Sequence, residues 1–180
     1  IYLIGNSIAI DKTKFRFNDE ITYKKHRISI FKKYKINKFQ NNQNIVLSFI
    51  GRLTYSKRID LLIKLLSRND AKNMILWLIG SGDEYENLLK YSKKLNLLNR
   101  IKFFGQIYDQ REIKSILSVS DIFICPSNLG LSVCNALSAG IPIITNEKME
   151  MQMPESECLR GTEFAEFIDY IINDLRQDLN

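Results

Sequence analysis

The sequence predicts an α/β protein built on a doubly wound, Rossmann-like parallel sheet. Three observations carry that prediction. From residue 44 onward, short apolar runs alternate with amphipathic stretches long enough for helices. The runs are apolar at every position rather than every second one, as expected of strands covered on both faces. Most of them end at a glycine, where the chain can turn and a ligand can come close to the backbone.

Each element follows from its residues. Residues 45–50 (IVLSFI) read as the first strand, followed by Gly51-Arg52 and a helix over 59–66. Residues 74–79 (MILWLI) are the second strand, followed by Gly80-Ser81-Gly82 and a helix over 84–95. A short strand at 101–104 runs to Gly105, and 110–119 has helical spacing. The fourth strand, 121–125, stops at Pro126. A helix starting at Gly130 or Leu131 should run to Ser138, with Gly140 as its terminating glycine. Residues 142–145 form the fifth strand, and 162–173 a last helix with one apolar face. Strand–helix alternation with right-handed crossovers makes the parallel doubly wound sheet. Residues 1–43 stand outside this repeat and are expected to be a linker and an outer helix at about 21–34, leaving 44–180 as the Rossmann-like domain.

Composition narrows the field. The chain of 180 residues is 45% hydrophobic and 26% charged, ordinary for a globular domain. Its first ten residues are apolar but too few to cross a bilayer, and no basic leader precedes them. A start at Ile1 rather than Met is expected of a piece of a longer protein. Cys125, Cys134 and Cys158 have no Cys-x-x-Cys pairing and His26 is the only histidine, so no zinc set is expected and reduced thiols in a cytosolic protein are. Charge is uneven: residues 1–60 carry 13 Lys or Arg against 4 acids, and residues 147–180 carry 3 against 9. The basic front half points to an anionic partner, phosphates or a membrane face, although a solvated helix face is the simpler account of residues 24–38. No recognition-helix signature argues for nucleic acid.

Ligands of such sheets bind beyond the carboxyl ends of the strands. Those ends are Gly51-Arg52, Gly80-Ser81-Gly82, Gly105-Gln106-Ile107 and Pro126-Ser127-Asn128. Arg52 and Lys57 put a planar fork and a mobile point charge on one strand-to-helix loop, suited to phosphate oxygens or, equally, to a solvated surface. The loop through Ser127, Asn128 and Gly130 into the helix at Leu131 offers backbone N–H groups to an anion. Gly80 and Gly82 fail the dinucleotide fingerprint because Tyr85 occupies the third glycine position, which argues against an oxidoreductase.

Taken in order, Gly51-Arg52-Leu53 with Lys57, Ile79-Gly80-Ser81-Gly82, Phe103-Phe104-Gly105, Asp121 to Pro126-Ser127, and Gly130-Leu131 through Gly140-Ile141-Pro142 resemble the C-terminal domain of group 1 (family 4) glycosyltransferases. Residues 152–155 and Asn6-Ser7 resemble a subgroup that makes bacterial surface polysaccharide. The resemblance implies a GT-B fold of two Rossmann-like domains, with a nucleotide-sugar donor held mainly by this half, and retaining transfer to a polysaccharide or lipid-linked acceptor. It implies that Arg52 and Lys57 neutralise the departing diphosphate, as catalytic residues. It implies donor contacts at Gly51, Gly80, Gly82, Gly105, Ile107, Ser127, Asn128, Gly130, Leu131 and Asn135, and neither metal nor cofactor. Where the family has two glutamates eight positions apart, this chain has Ser127 and Asn135. An amide still accepts a hydroxyl hydrogen bond, without the help of a charge. The expected partners are the donor and a missing N-terminal acceptor domain, without nucleic acid, in the cytoplasm or at the inner face of the plasma membrane. A non-catalytic nucleotide-sugar-binding module and half of a sugar-nucleotide epimerase are the competing readings.

Overall fold

The computed structural model describes residues 20–36 and 44–145. Helix α1 (Glu20–Lys33) precedes five strands: β1 (Ile45–Ile50), β2 (Met74–Ile79), β3 (Ile101–Gly105), β4 (Ile122–Cys125) and β5 (Ile143–Thr145). Between them lie α2 (Ile59–Ser67), α3 (Tyr85–Lys94), α4 (Gln110–Leu117) and α5 (Ser132–Ala139). All strand pairs are parallel, and the order across the sheet is β3-β2-β1-β4-β5. The predicted strands and helices that fall among the described residues therefore stand within one or two residues of their observed limits, and the fold is the predicted doubly wound one. The helix after β4 begins at Ser132, slightly later than expected, and ends as expected at Gly140, in the left-handed region at φ 66.

The continuous apolar runs are explained by cover on both faces. Leu47, Phe49, Leu76 and Leu78 share one buried cluster with Ile59, Leu62 and Leu66 of α2 and Leu88 of α3. Their alternates Val46, Ile75, Trp77 and Ile79 share a second with Ile30 and Phe31 of α1 and Ile116 of α4. Rings interlock on that second face: Phe31 meets Trp77 at 5.4 Å and Trp77 meets Phe104 edge-on at 5.5 Å. Burying one such side chain contributes roughly 1.5–3 kcal/mol, so this contact helps to hold α1 on the sheet.

The basic segment expected to be a solvated helix face needs one correction. Lys25, Lys32 and Lys35 are exposed, but Arg27 is buried. Its Nη1 donates to Tyr23 Oη at 2.6 Å and to Asp121 Oδ1 at 3.2 Å, and its Nη2 donates to the Asn44 carbonyl at 2.7 Å. Asp121 also accepts from the Val46 N–H at 2.6 Å, so the ion pair ties α1 to the amino ends of β1 and β4. Burial works against the guanidinium charge, yet Asp121 and the Tyr23 hydroxyl hold its pKa above the ordinary value. Arg100, just before β3, spends its donors on the carbonyls of Leu66, Ala71 and Met74, fastening the end of α2 to the start of β2. The helix predicted at 162–173, the segments 1–10 and 152–155, Asn6-Ser7 and Cys158 lie outside the described residues.

Candidate functional site

In the observed strand order the connections leave β1 and β4 in opposite directions across the sheet. A crevice therefore opens at their carboxyl ends, the switch point at which doubly wound sheets bind ligands. The loops above the sheet are joined by backbone hydrogen bonds that continue past the strands. Gly51 N–H donates to the Ile79 carbonyl at 3.0 Å, Leu53 N–H to the Ser81 carbonyl at 2.9 Å and Gly80 N–H to the Gly105 carbonyl at 2.8 Å. This explains two of the glycines. A Cβ at Gly80 would lie 1.9 Å from the Gly51 carbonyl oxygen, and one at Gly82 would lie 2.4 Å from that of Leu53. Both glycines let neighbouring loops touch, and that contact shapes the floor of the site.

The resulting cleft has a volume of about 320 Å³ and is lined by Ile50, Gly51, Arg52, Ile79, Gly80, Ser81, Gly82, Gln106 and Ile107. It gathers five of the predicted site residues: Gly51, Arg52, Gly80, Gly82 and Ile107. Arg52 is exposed at its edge. Gly105 stands beneath the wall, its carbonyl taken by Gly80. Lys57 ends a 3-10 turn (Tyr55–Lys57), and its Nζ donates to the Asn128 carbonyl at 2.5 Å. That bond joins the loop after β1 to the loop after β4 and places a cation at the switch point. Gly130 and Leu131 lead into α5, whose start carries no side-chain cap among the described residues. The peptide dipoles leave partial positive charge there.

Ser127 and Asn135 are both buried, at 2% and 7% exposure. Ser127 lies under the loop, with Cys125 Sγ donating to its carbonyl at 3.5 Å and Thr145 Oγ1 donating to the same carbonyl at 3.4 Å. The hydroxyl of Ser127 lies 3.9 Å from Cys125 Sγ. Asn135 differs: its Oδ1 is a buried acceptor with no hydrogen-bond partner among the described residues. An acceptor left so is costly, about 1–3 kcal/mol, unless a ligand or water supplies a donor. Burial pushes the Cys125 thiol up, against the pull of its backbone hydrogen bond with Ser127 and of the Lys57 charge. Cys125 is a free thiol. Among the described residues no cluster of His, Cys, Asp or Glu could hold a metal ion. Nor is any helix of these residues long and apolar enough to cross a membrane.

The sequence reading did not single out the side chains of Ser81 and Gln106. Their positions after β2 and β3 were the available signal, since every strand end of such a sheet faces the crevice.

The model for the family described as glycosyl transferases group 1 matches residues 30–153. The chain belongs to the group 1 glycosyltransferases. The match begins inside α1, before the first strand, and takes in every cleft residue named above. Among curated relatives, the O-antigen biosynthesis glycosyltransferase WclY of Escherichia coli is 32% identical over 123 residues, 66% of this chain and 33% of that protein. The N-acetyl-alpha-D-glucosaminyl L-malate synthase of Bacillus anthracis is 28% identical over 141 residues, 74% of this chain and 34% of that one. This group 1 chain thus spans about a third of the curated relatives it matches. In fold it resembles Anabaena HepE, solved in complex with UDP and glucose, at a TM-score of 0.62 and 19% identity, over 86% of this chain and 43% of that one.

Proposed function

We propose that this chain is the donor-binding domain of a retaining glycosyltransferase, taking a sugar from a nucleoside diphosphate to a polysaccharide or lipid-linked acceptor. The observation that carries the reading is the pairing of Arg52 and Lys57 on one loop, with Lys57 bonded to the loop that opens α5. When the bond between sugar and diphosphate breaks, negative charge collects on the departing phosphate. Cations fixed in advance at that point stabilise the transition state more than the ground state. These side chains take the part that a metal would otherwise have, and the proposed chemistry asks for no cofactor. The glycines at the ends of β1, β2 and β3 floor the cleft for the nucleotide, with Ile107 beside the base and Gly130 and Leu131 at the phosphates. The buried Asn135 Oδ1 then receives a ribose hydroxyl, which removes its unpaired state.

On this reading the acceptor is held by a second Rossmann-like domain of the full-length protein, and the described residues hold the donor. We place the reaction in the cytoplasm of a bacterium, at the plane of a membrane. The support is the outer side of α1, where Lys25 and Lys32 flank Ile21 and Ile28, which are 66% and 62% exposed. Isothermal titration with UDP, GDP and ADP tests the donor reading: saturable binding of at least one supports it, and none at millimolar concentration overturns it. A binding module without chemistry is favoured by one observation, the burial of Ser127 where the family has a glutamate. Assaying the full-length gene product with a UDP-sugar separates transfer from mere binding, and from epimerisation, in which the sugar itself changes.

A further inference from the structure

A second cavity, of about 400 Å³, lies at the other end of the strands from the cleft. It opens between the residues that follow α1, the start of β2 and the edge strand β3. Its volume falls within the range of roughly 300–1,000 Å³ usual for small-molecule sites. Ile36, Ile75 and Leu98 give it apolar walls, and Leu98 is 45% exposed. Three of the nine lining residues are basic, Lys35, Arg100 and Lys102, and none is acidic. Arg100 gives its donors to the carbonyls of Leu66, Ala71 and Met74. Lys35 and Lys102 are not committed in this way: among the described residues neither ammonium has a hydrogen-bond or ion-pair partner. A further donor comes from the core. Trp77 is wholly buried, it lines the cavity, and its indole N–H has no hydrogen-bond partner among the described residues. The neighbouring rings of Phe31 and Phe104 offer only faces and edges, which are weak substitutes for an oxygen. Strand pairing sets Trp77 against Lys102, so the two side chains share one face of the sheet.

We infer that this cavity is a second binding site, taking a small molecule that carries a phosphate or carboxylate on an apolar body. The apolar body packs against Ile36, Ile75 and Leu98. The anionic oxygens accept the indole N–H of Trp77 and lie against the ammonium groups of Lys102 and Lys35. Each half of such a ligand needs the other. An oxyanion alone would give up its hydration for two lysines and leave the apolar walls wet. An apolar molecule alone would seal the indole N–H away from any acceptor. The cavity stands at the amino ends of the strands and the cleft at their carboxyl ends, so the inference does not depend on the donor reading.

Trp77 is the only tryptophan in the sequence, so a nitrogen–proton correlation spectrum of the 180-residue chain shows a single indole N–H signal, and that signal reports on this cavity. Titration with hexyl phosphate or with hexanoate should move it downfield, as a new hydrogen bond does, and the shift should saturate for at least one of them. Hexanol and inorganic phosphate each carry one half of the ligand, and each should bind at least about tenfold more weakly. Lys102→Met keeps the apolar stem and loses the charge. It should weaken the anion that binds about tenfold, leave hexanol unchanged and retain the circular dichroism spectrum. An indole signal that neither anion moves at millimolar concentration overturns the inference. So does a Lys102→Met chain that binds the anion as the wild type does. Equal binding of hexanol and of both anions also overturns it, since the site would then be merely apolar.

Discussion

At the scale of single residues, Arg52 and Asn135 show two ways in which a side chain can be spared for a ligand. Arg52 is exposed at the edge of the cleft. Arg52→Ala is expected to weaken nucleoside diphosphate binding about tenfold to a hundredfold, the usual worth of a hydrogen bond to a charged group, with little change in the urea midpoint. Calorimetry and urea titration on the same preparation check both halves. Asn135 is buried with an unpaired acceptor. Asn135→Ala should therefore leave stability within about 1 kcal/mol, because the lost packing is offset by removing an unsatisfied group, while affinity falls several-fold. A large loss of stability with unchanged affinity would show that Asn135 serves the fold.

At the scale of elements, the loops around the site depend on contacts that a methyl group would break. Gly80→Ala places Cβ against the Gly51 carbonyl at φ 140 and should cost about 3 kcal/mol or more in urea unfolding. Gly130→Ala meets open space and should cost under about 1 kcal/mol. Helix α1 depends on charge as well as on its rings. Glu112 is held below the ordinary carboxylate range by hydrogen bonds from Lys33 and Tyr34. A depressed folded pKa means stability that is present above the ordinary glutamate value and lost as pH falls through the folded one. Wild type should thus lose its advantage over Glu112→Gln as pH drops from 6 to about 3, read as converging urea midpoints. The Arg27–Asp121 pair stands apart: removing either partner strands a buried or half-buried charge, and Asp121→Asn should cost about 2–3 kcal/mol.

At the scale of the whole molecule, a ligand that binds only the folded chain must stabilise it. A nucleoside diphosphate at roughly 100 times its Kd should add about 2.7 kcal/mol and raise Tm by several degrees in a thermal-shift scan. If the proposed reading holds, a full-length protein that supplies the acceptor side should transfer sugar where this chain only binds.

Much of this was legible in the sequence, for a physical reason. A strand covered on both faces must be apolar throughout, so IVLSFI and MILWLI announced a parallel sheet, and Gly140 announced the end of α5. The ends of those strands also announced where a ligand would sit. Burial and partnership were not legible, because they are made between residues far apart in the chain. Arg27 read as one more surface cation until Asp121, 94 positions away, was placed beside it. Ser127 and Asn135 both stand where acids were expected, yet one lies buried under its loop and the other holds an unpaired acceptor. Gly80 and Gly82 read as room for a ligand, whereas their missing side chains are needed by the backbone of the adjoining loop. Local pattern determined the elements and their order. The tertiary structure alone decided which polar groups the fold consumes and which it leaves for a ligand, since satisfying a hydrogen bond depends on what the rest of the chain brings within reach.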